Sequence, residues 1–220
     1  DFMKFNNVKT IFFDYDGTLH NSMEIYAPAF RKSYSNLVSM GLAKDKDWND
    51  EEILKWIGYS PDEMWEKFMP DLDEEIKVLS SNIISEEMNR LIKTGAPKLY
   101  DRSIETLDYL KNKGYNLIFI SNCKREYMEN HRDLFNLDLY FNDMICSEDY
   151  NYLAKKDILR KHIHKYPKEM VIVGDRDKDI EAGKFNSIMT IGCAYGYGKR
   201  EEIDKSDKVI EDISELMNIF

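Results

Sequence analysis

The amino-acid sequence predicts an α/β protein, a doubly wound parallel sheet with an all-helical segment inserted after the first strand. Three observations predict this class. Short, uninterrupted apolar runs stop abruptly at polar residues, as strands buried on both faces of a parallel sheet do. Segments with the three- and four-residue spacing of helices separate these runs. One long stretch in the first half of the chain has helical patterning and no strand-like run.

Four apolar runs predict the strands of the sheet, at residues 8–13, 117–120, 170–173 and 188–191. Helical patterns lie between them, at residues 104–110, 128–135 and 158–166. Gly114 follows the first helical pattern and Pro167 follows the last, and both residue types commonly end helices. Strands that alternate with helices in this way are typical of a doubly wound sheet.

Residues 22–94 contain only helical patterns. One covers residues 25–38, another begins at Ser60-Pro61, and a third covers residues 72–91 with Leu79 on its apolar stripe. We therefore predict two domains. Residues 1–21 and 95–220 would form the α/β core, and residues 22–94 would form a helical cap.

Charge and cysteine content narrow the function classes. The net charge is -10, whereas proteins that bind nucleic acid or anionic membranes usually carry an excess of basic residues. We therefore expect neither partner, and a monomer or weak dimer. Three cysteines without CxxC spacing, and no apolar signal in residues 1–10, predict a reduced protein in the cytoplasm.

Polar residues follow three of the predicted strands. Asp14 and Asp16 follow the first, Ser121-Asn122 the second, and Gly174-Asp175 the third, with Asp179 close behind. Ligands of an open α/β sheet bind beyond the carboxyl ends of its strands, so these groups are expected to converge there. Crowded carboxylates repel one another unless a cation neutralises them, and Mg²⁺ prefers oxygen ligands. Carboxylates, a lysine and Mg²⁺ together suit phosphoryl transfer.

These residues resemble the four motifs of the haloacid dehalogenase-like hydrolases. The matching segments, in chain order, are Asp14-x-Asp16-Gly17-Thr18-Leu19, Ser121-Asn122, Lys155, and Gly174-Asp175-x-x-x-Asp179. The gap between the first two leaves room for a helical cap. The resemblance implies a Rossmann-like core and a phosphatase of the phosphoglycolate phosphatase-like group, which uses Mg²⁺ and an aspartyl-phosphate to hydrolyse a small phosphorylated substrate.

The resemblance also implies a role for each matching residue. Asp14 would be the nucleophile, and Asp16 the general acid and then the general base. Asp14, Asp175 and the backbone carbonyl of Asp16 would hold Mg²⁺. Phosphate oxygens would be bound by Thr18, which would also support the acid, and by Ser121, Asn122 and Lys155. Support would come from Gly17, Gly174 and Asp179.

Several alternatives stay open. The third motif is often Lys-Pro, and here the neighbouring Lys156 competes with Lys155. A phosphomutase of the same fold, or a receiver-like phosphoacceptor module, would use similar groups. His20, where related phosphatases often carry an acidic residue, is a candidate for substrate contact. The cap cations to consider for substrate binding are Arg31, Lys32 and Arg90. Gly196-x-Gly198 lacks the third glycine of a phosphate loop.

Overall fold

A computed structural model of the chain describes residues 2–220, with side chains from Lys4 onward. Residue 1, at which the predicted core domain begins, lies outside the described residues. The strands, in chain order, are β1 (Thr10–Phe13), β2 (His20–Asn21), β3 (Lys98–Leu99), β4 (Asn116–Ser121), β5 (Asp143–Cys146), β6 (Met170–Gly174), β7 (Met189–Cys193) and β8 (Lys208–Ile210).

The α-helices, in chain order, are α1 (Met23–Ser39), α2 (Asp50–Leu54), α3 (Pro61–Phe68), α4 (Glu74–Lys93), α5 (Ser103–Asn112), α6 (Arg125–Phe135), α7 (Lys155–His162), α8 (Asp177–Phe185), α9 (Arg200–Ile203) and α10 (Leu216–Ile219). Short 3₁₀ turns cover Phe2–Phe5, Leu137–Leu139, Ser147–Tyr150, Ile163–Lys165 and Ile213–Glu215. Among the described residues, no helix combines the length and the apolar character needed to cross a membrane.

Six strands form one sheet in the order β5-β4-β1-β6-β7-β8, and every neighbouring pair is parallel. The predicted fold class is confirmed. β1 is central, with Phe13 in register with Phe119 of β4 on one side and Val173 of β6 on the other. The strand order runs outward from β1 in both directions, so the crevice at its carboxyl end is the place where such folds bind ligands.

The sheet is buried on both faces, which explains its uninterrupted apolar runs. Alternate residues of a strand point to opposite faces. Ile11 and Phe13 of β1 therefore join one hydrophobic cluster, which includes Leu107 of α5 and Leu216 of α10. Phe12 joins the other cluster, whose members on the flanking helices include Ile158, Leu159 and Ala182. Two cores thus hold β1 rigidly, and with it the residues that follow the strand.

Helices α1 to α4 form a separate hydrophobic cluster, in which Phe30, Leu37, Ile53 and Trp65 are buried. The chain leaves the core through β2 and returns through β3, and these two short strands pair antiparallel. This pairing supports the division into a core and a cap of residues 22–94, which stays a prediction.

One prediction for the third helical pattern is wrong. Leu79, placed on the apolar stripe of α4, is 41% exposed, whereas Lys77 and Glu87 are buried. Ion pairs explain why these charged residues are buried. Lys77 pairs with Glu66 and Glu74, and Glu87 pairs with Lys32 and Arg90. A charged residue can be buried when an ion-pair partner neutralises it. The spacing of apolar residues alone therefore does not identify the buried face of α4.

Candidate active site

The carboxyl ends of β1, β4 and β6 bring the predicted site residues together. Asp14 continues β1, and its backbone amide donates to Val173 of β6 at 2.9 Å. Ser121 ends β4, and Asp175 follows β6. A small polar cleft opens at this edge. Its lining includes Asp14, Asp16, Ser121, Asn122, Lys155 and Asp179.

Three buried carboxylates form the floor of the site. Oxygens of Asp14, Asp175 and Asp179 all lie within 4.8 Å of one another. Burial, together with the charge of Asp179, raises the pKa of Asp14 well above its ordinary value. The same two causes raise the pKa of Asp175 to about 6. Both shifts arise because desolvation and like charges penalise ionised carboxylates, so this cluster calls for a cation.

Lys155 supplies one positive charge to this cluster. It begins α7 and is 5% exposed, and its Nζ donates to Asp14 Oδ1 at 2.9 Å and to Asp179 Oδ1 at 2.6 Å. Burial opposes the charged ammonium, but the two carboxylates outweigh it and raise the pKa of Lys155 above its ordinary value. Lys155 is therefore charged at neutral pH and lies within reach of any group that Asp14 contacts.

Lys156, the alternative to Lys155, points to the surface and pairs with Glu181 at 2.9 Å. It is absent from the lining of the cleft. The side chains of two consecutive helix residues point about 100° apart around the helix axis, so only one of the two lysines can point into the site. The geometry favours Lys155.

Asp16 lies at the mouth of the cleft in a dense hydrogen-bond network. Its Oδ1 accepts from Tyr127 Oη at 2.6 Å, from Ser22 Oγ at 2.7 Å and from His20 Nδ1 at 2.9 Å. Burial opposes the charge on Asp16, but the hydrogen bond from His20 and the other contacts outweigh it and lower the pKa of Asp16. This network fixes the side chain in one orientation.

Comparison with known proteins decides the family. A family model described as "Haloacid dehalogenase-like hydrolase" matches residues 11–193, which is most of the chain. The chain belongs to the haloacid dehalogenase-like (HAD) hydrolases. A phosphoglycolate phosphatase from Aquifex aeolicus is 32% identical over 200 residues, covering 87% of each chain. The pyrophosphatase PpaX from Bacillus mycoides is 24% identical over 219 residues, covering 97% of each chain.

Solved structures show the same fold. A crystal structure described as a predicted phosphoglycolate phosphatase from Haemophilus somnus has a TM-score of 0.82 at 22% identity, and covers 96% of this chain and 97% of its own. The CbbY protein of Rhodobacter sphaeroides, solved with phosphate, has a TM-score of 0.78 at 20% identity, and covers 95% and 96%. The predicted resemblance and the predicted enzyme class, a HAD-like phosphatase, are both confirmed.

Thr18 of this HAD-like hydrolase lies beside the carboxylate cluster. Its side chain is fully buried, and the hydroxyl donates to Asp175 Oδ1 at 3.3 Å. It is also absent from the cleft lining. Thr18 therefore contacts a carboxylate of the cluster in this arrangement, and its predicted role in binding a phosphate oxygen stays a prediction.

His20 and the cap cations also lie away from the cleft. His20 is fully buried and contacts Asp16, with its ring stacked on Tyr15 at 5.1 Å. Arg31 pairs with Asp50 on the exterior, while Lys32 and Arg90 both pair with Glu87. The structure brings none of these four candidates to the cleft.

Three groups of the site escaped the sequence analysis. Tyr127 of α6 donates to Asp16, and the backbone amide of Tyr197 donates to Asp175 Oδ2 at 2.8 Å. The latter approach depends on Gly196, where a Cβ atom would lie 2.2 Å from the Cβ of Asp175. The Gly196-x-Gly198 segment was a usable signal, because paired glycines mark close backbone approach.

The third group comes from the segment before α3. Gly58 lines the cleft, and its carbonyl accepts from Asn122 Nδ2 at 3.3 Å. Arg176 donates to the Ile57 carbonyl at 2.9 Å, and Lys178 pairs with Glu63. These contacts hold residues 57–63 close to the carboxylate cluster, and no sequence motif predicts them.

Proposed function

We propose that this HAD-like hydrolase is a Mg²⁺-dependent phosphatase that hydrolyses a small phosphorylated metabolite through an aspartyl-phosphate intermediate. The observation that carries the proposal is that Asp14, Asp179, Lys155 and Asp16 line one polar cleft at the end of β1, and that a buried oxygen of Asp175 lies within 4.8 Å of the Asp14 and Asp179 carboxylates. A nucleophile, an acid and a phosphate-binding cation are thereby within reach of one bound phosphate.

The carboxylate cluster fits Mg²⁺. Three carboxylates against one ammonium leave an excess of negative charge in a buried place, which is costly without a cation. Carboxylate oxygens are hard donors of the kind Mg²⁺ prefers. Asp14, Asp175 and the Asp16 backbone carbonyl would hold the ion. When bound, it would supply positive charge that stabilises the transferring phosphoryl group.

The first half of the reaction transfers the phosphoryl group to Asp14. A carboxylate oxygen of Asp14 attacks phosphorus, and the bond between phosphorus and the leaving oxygen breaks. Asp16 donates its proton to that oxygen, so the alcohol leaves neutral. Lys155, Ser121 and Asn122, which all line the cleft, hold the phosphoryl oxygens and share their charge.

The second half returns the enzyme to its starting state. Asp16, now ionised, accepts a proton from water while the water oxygen attacks phosphorus, and the bond to Asp14 breaks. Inorganic phosphate leaves, and the proton on Asp16 passes to the next leaving oxygen or exchanges with solvent. Hydrogen bonds from Tyr127, Ser22 and His20 stabilise the ionised form that this half requires.

The setting proposed for this reaction is the reducing cytoplasm, with the enzyme a monomer or weak dimer. Cys123, Cys146 and Cys193 are free and buried, which supports this setting. Burial is the largest cause that raises the pKa of each of the three thiols. The protonated thiol, which is the unreactive form, therefore dominates over the thiolate.

The test is hydrolysis of p-nitrophenyl phosphate by wild type and Asp14→Asn, with and without a chelator. We expect Asp14→Asn to abolish turnover, and chelation to stop wild-type turnover until Mg²⁺ is restored. Asp138→Asn, an exposed residue, is the matched control and should keep full activity. Release of inorganic phosphate distinguishes a phosphatase from a phosphomutase. Turnover by Asp14→Asn, or turnover that ignores the chelator, would contradict the proposal.

A further inference from the structure

A second, larger cavity adjoins the catalytic cleft. Its volume is about 100 Å³, and its lining shares Asp16, Gly58 and Asn122 with the cleft. Asp16 is the group that would protonate the leaving oxygen. The organic part of a substrate bound in the cleft would therefore extend past Asp16 into this cavity, which we call the leaving-group chamber.

The walls of the leaving-group chamber are mostly apolar and aromatic, with Ser22, Ser81 and Ser85 among the polar lining residues. Helices α1, α3 and α4 and the segment before α3 contribute side chains that include Tyr26, Trp56, Met64, Trp65, Ile84 and Met88. Met64 and Trp65 are 3% and 2% exposed, so packing already fixes them. An apolar surface of this kind binds ligands by removing apolar area from water.

Among the described residues, Lys124 is the one basic residue in the lining of the chamber. It also borders an acidic groove on the outer side, whose lining includes Asp62, Glu66 and Glu74. Glu66 and Glu74 of this groove already pair with Lys77. A substrate carboxylate inside the chamber would lose its hydration among mostly apolar walls and would meet a single lysine, which the chamber shares with the outer groove, so its transfer from water is disfavoured.

We propose that the organic part of the substrate is uncharged, with an apolar or aromatic face that fills the leaving-group chamber. The inference rests on the proposed function, since it assigns the direction of the leaving group from Asp16. It separates this enzyme from a phosphatase for a two-carbon phosphorylated acid, because such a group has little apolar surface to place against the aromatic walls and carries a charge that mostly apolar walls solvate poorly.

The first experiment compares two esters that differ only in a carboxylate. Phenyl phosphate and 4-carboxyphenyl phosphate have phenolate leaving groups of similar basicity, so a rate difference reports the chamber. We expect kcat/KM for phenyl phosphate to exceed that for the carboxylate ester by at least tenfold. Phosphoglycolate should be poorer still. A preference for either carboxylate substrate would overturn the inference.

Variants that add a positive charge test whether the preference for phenyl phosphate arises in the leaving-group chamber. Ser85→Lys adds a cation to the chamber wall, whereas Asn82→Lys adds the same charge to the exposed side of the same helix. Ser85→Lys should reduce the preference for phenyl phosphate several-fold, and Asn82→Lys should leave it unchanged. Equal effects of Ser85→Lys and Asn82→Lys would contradict the role of the chamber.

A binding measurement separates this inference from the proposed function. Benzylphosphonate and phosphonoacetate are not hydrolysed, so their affinities in the presence of Mg²⁺ report recognition without turnover. We expect benzylphosphonate to bind at least tenfold more tightly. This result would uphold the chamber even if the hydrolysis assay failed and refuted the phosphatase mechanism. Tighter binding of phosphonoacetate would overturn the chamber even in an active phosphatase.

Discussion

Gly17 lies against Asp175 so closely that a Cβ atom at Gly17 would be 2.1 Å from Oδ2 of the carboxylate. The turn after β1 and the loop after β6 meet at this point, and both carry groups of the carboxylate cluster. Gly17 also has a φ of +79°, which glycine adopts far more readily than other residues. The spacing of the proposed metal ligands therefore depends on the absence of a side chain at Gly17.

We predict that Gly17→Ala lowers kcat/KM at least ~100-fold, because a displacement of about 1 Å in a catalytic group can cost that much. Gly41→Ala is the matched control, since Gly41 has a φ of +73° and nothing within 4 Å of an added Cβ. Both variants should lose roughly 1–2 kcal/mol of stability from backbone strain, and only Gly17→Ala should lose activity. Phosphatase assays and thermal melts of both proteins measure the difference. Equal activities would refute the steric argument.

Tyr127→Phe should lower kcat with little change in KM. The substitution removes the hydroxyl that donates to Asp16 and keeps the ring, which lies 4.4 Å from the ring of His131. A hydrogen bond to a charged group contributes about 1.5–3 kcal/mol, so kcat should fall on the order of 10- to 100-fold.

The pH profile distinguishes this role of Tyr127 from a structural one. Loss of a donor to the ionised carboxylate raises the pKa of Asp16, so the limb of the kcat profile that Asp16 controls should move to higher pH. Tyr150→Phe is the control, because the hydroxyl of Tyr150 bonds to His162 outside the cleft. An unchanged profile in Tyr127→Phe would show that the hydroxyl does not act through Asp16.

Lys155→Met and Lys156→Met should separate two neighbouring lysines. Removing the Lys155 ammonium leaves Asp14 and Asp179 without their cation and the phosphate without a donor, so kcat/KM should fall ~10²- to 10³-fold. Lys156→Met breaks only a surface pair with Glu181, worth under about 1 kcal/mol, and should keep its activity. The same ester assay measures both variants. A greater loss in Lys156→Met would reverse the assignment.

The position of a residue in the fold was predictable from the sequence where that residue directly follows a strand. Asp14 and Asp175 are fixed by β1 and β6, so the apolar run alone placed them at one edge of the sheet. Tyr127 could not be found in this way, because its contact with Asp16 depends on the rotation of α6 against the sheet. That rotation results from packing of whole helices, which one-dimensional spacing does not encode.

The missed strands have a similar explanation. β5 and β8 are edge strands of the sheet, with sequences DMIC and KVI. A strand this short, with a polar first residue, carries too few side chains for a recognisable apolar run. The central strands contain uninterrupted apolar runs, at residues 11–13, 117–120 and 170–173, because both of their faces are covered, and those were predicted.

The buried charges of α4 give a prediction for acid stability. Glu87 is 7% exposed and accepts hydrogen bonds from Arg90 at 2.6 Å and from Lys32 at 2.9 Å. The hydrogen bonds from Arg90 and then Lys32 lower the pKa of Glu87 from 4.5 to about 2. The folded state therefore holds this carboxylate ionised at pH values where the unfolded chain would bind a proton.

It follows that wild type should exceed Glu87→Gln in stability at pH 7, and that the difference should shrink as the pH falls from about 4.5 toward about 2. A carboxylate whose pKa is lower in the folded state than in the unfolded chain contributes its full stabilisation at pH values above the unfolded-state pKa. That stabilisation is lost as the pH falls and the carboxylate of the folded protein binds a proton. Urea unfolding of both proteins at several pH values between 7 and 3 measures the difference. Glu86→Gln, on the exposed side of α4, should show no such pH dependence. A gap between wild type and Glu87→Gln that stays constant across this range would show that the ion pairs contribute nothing to folding.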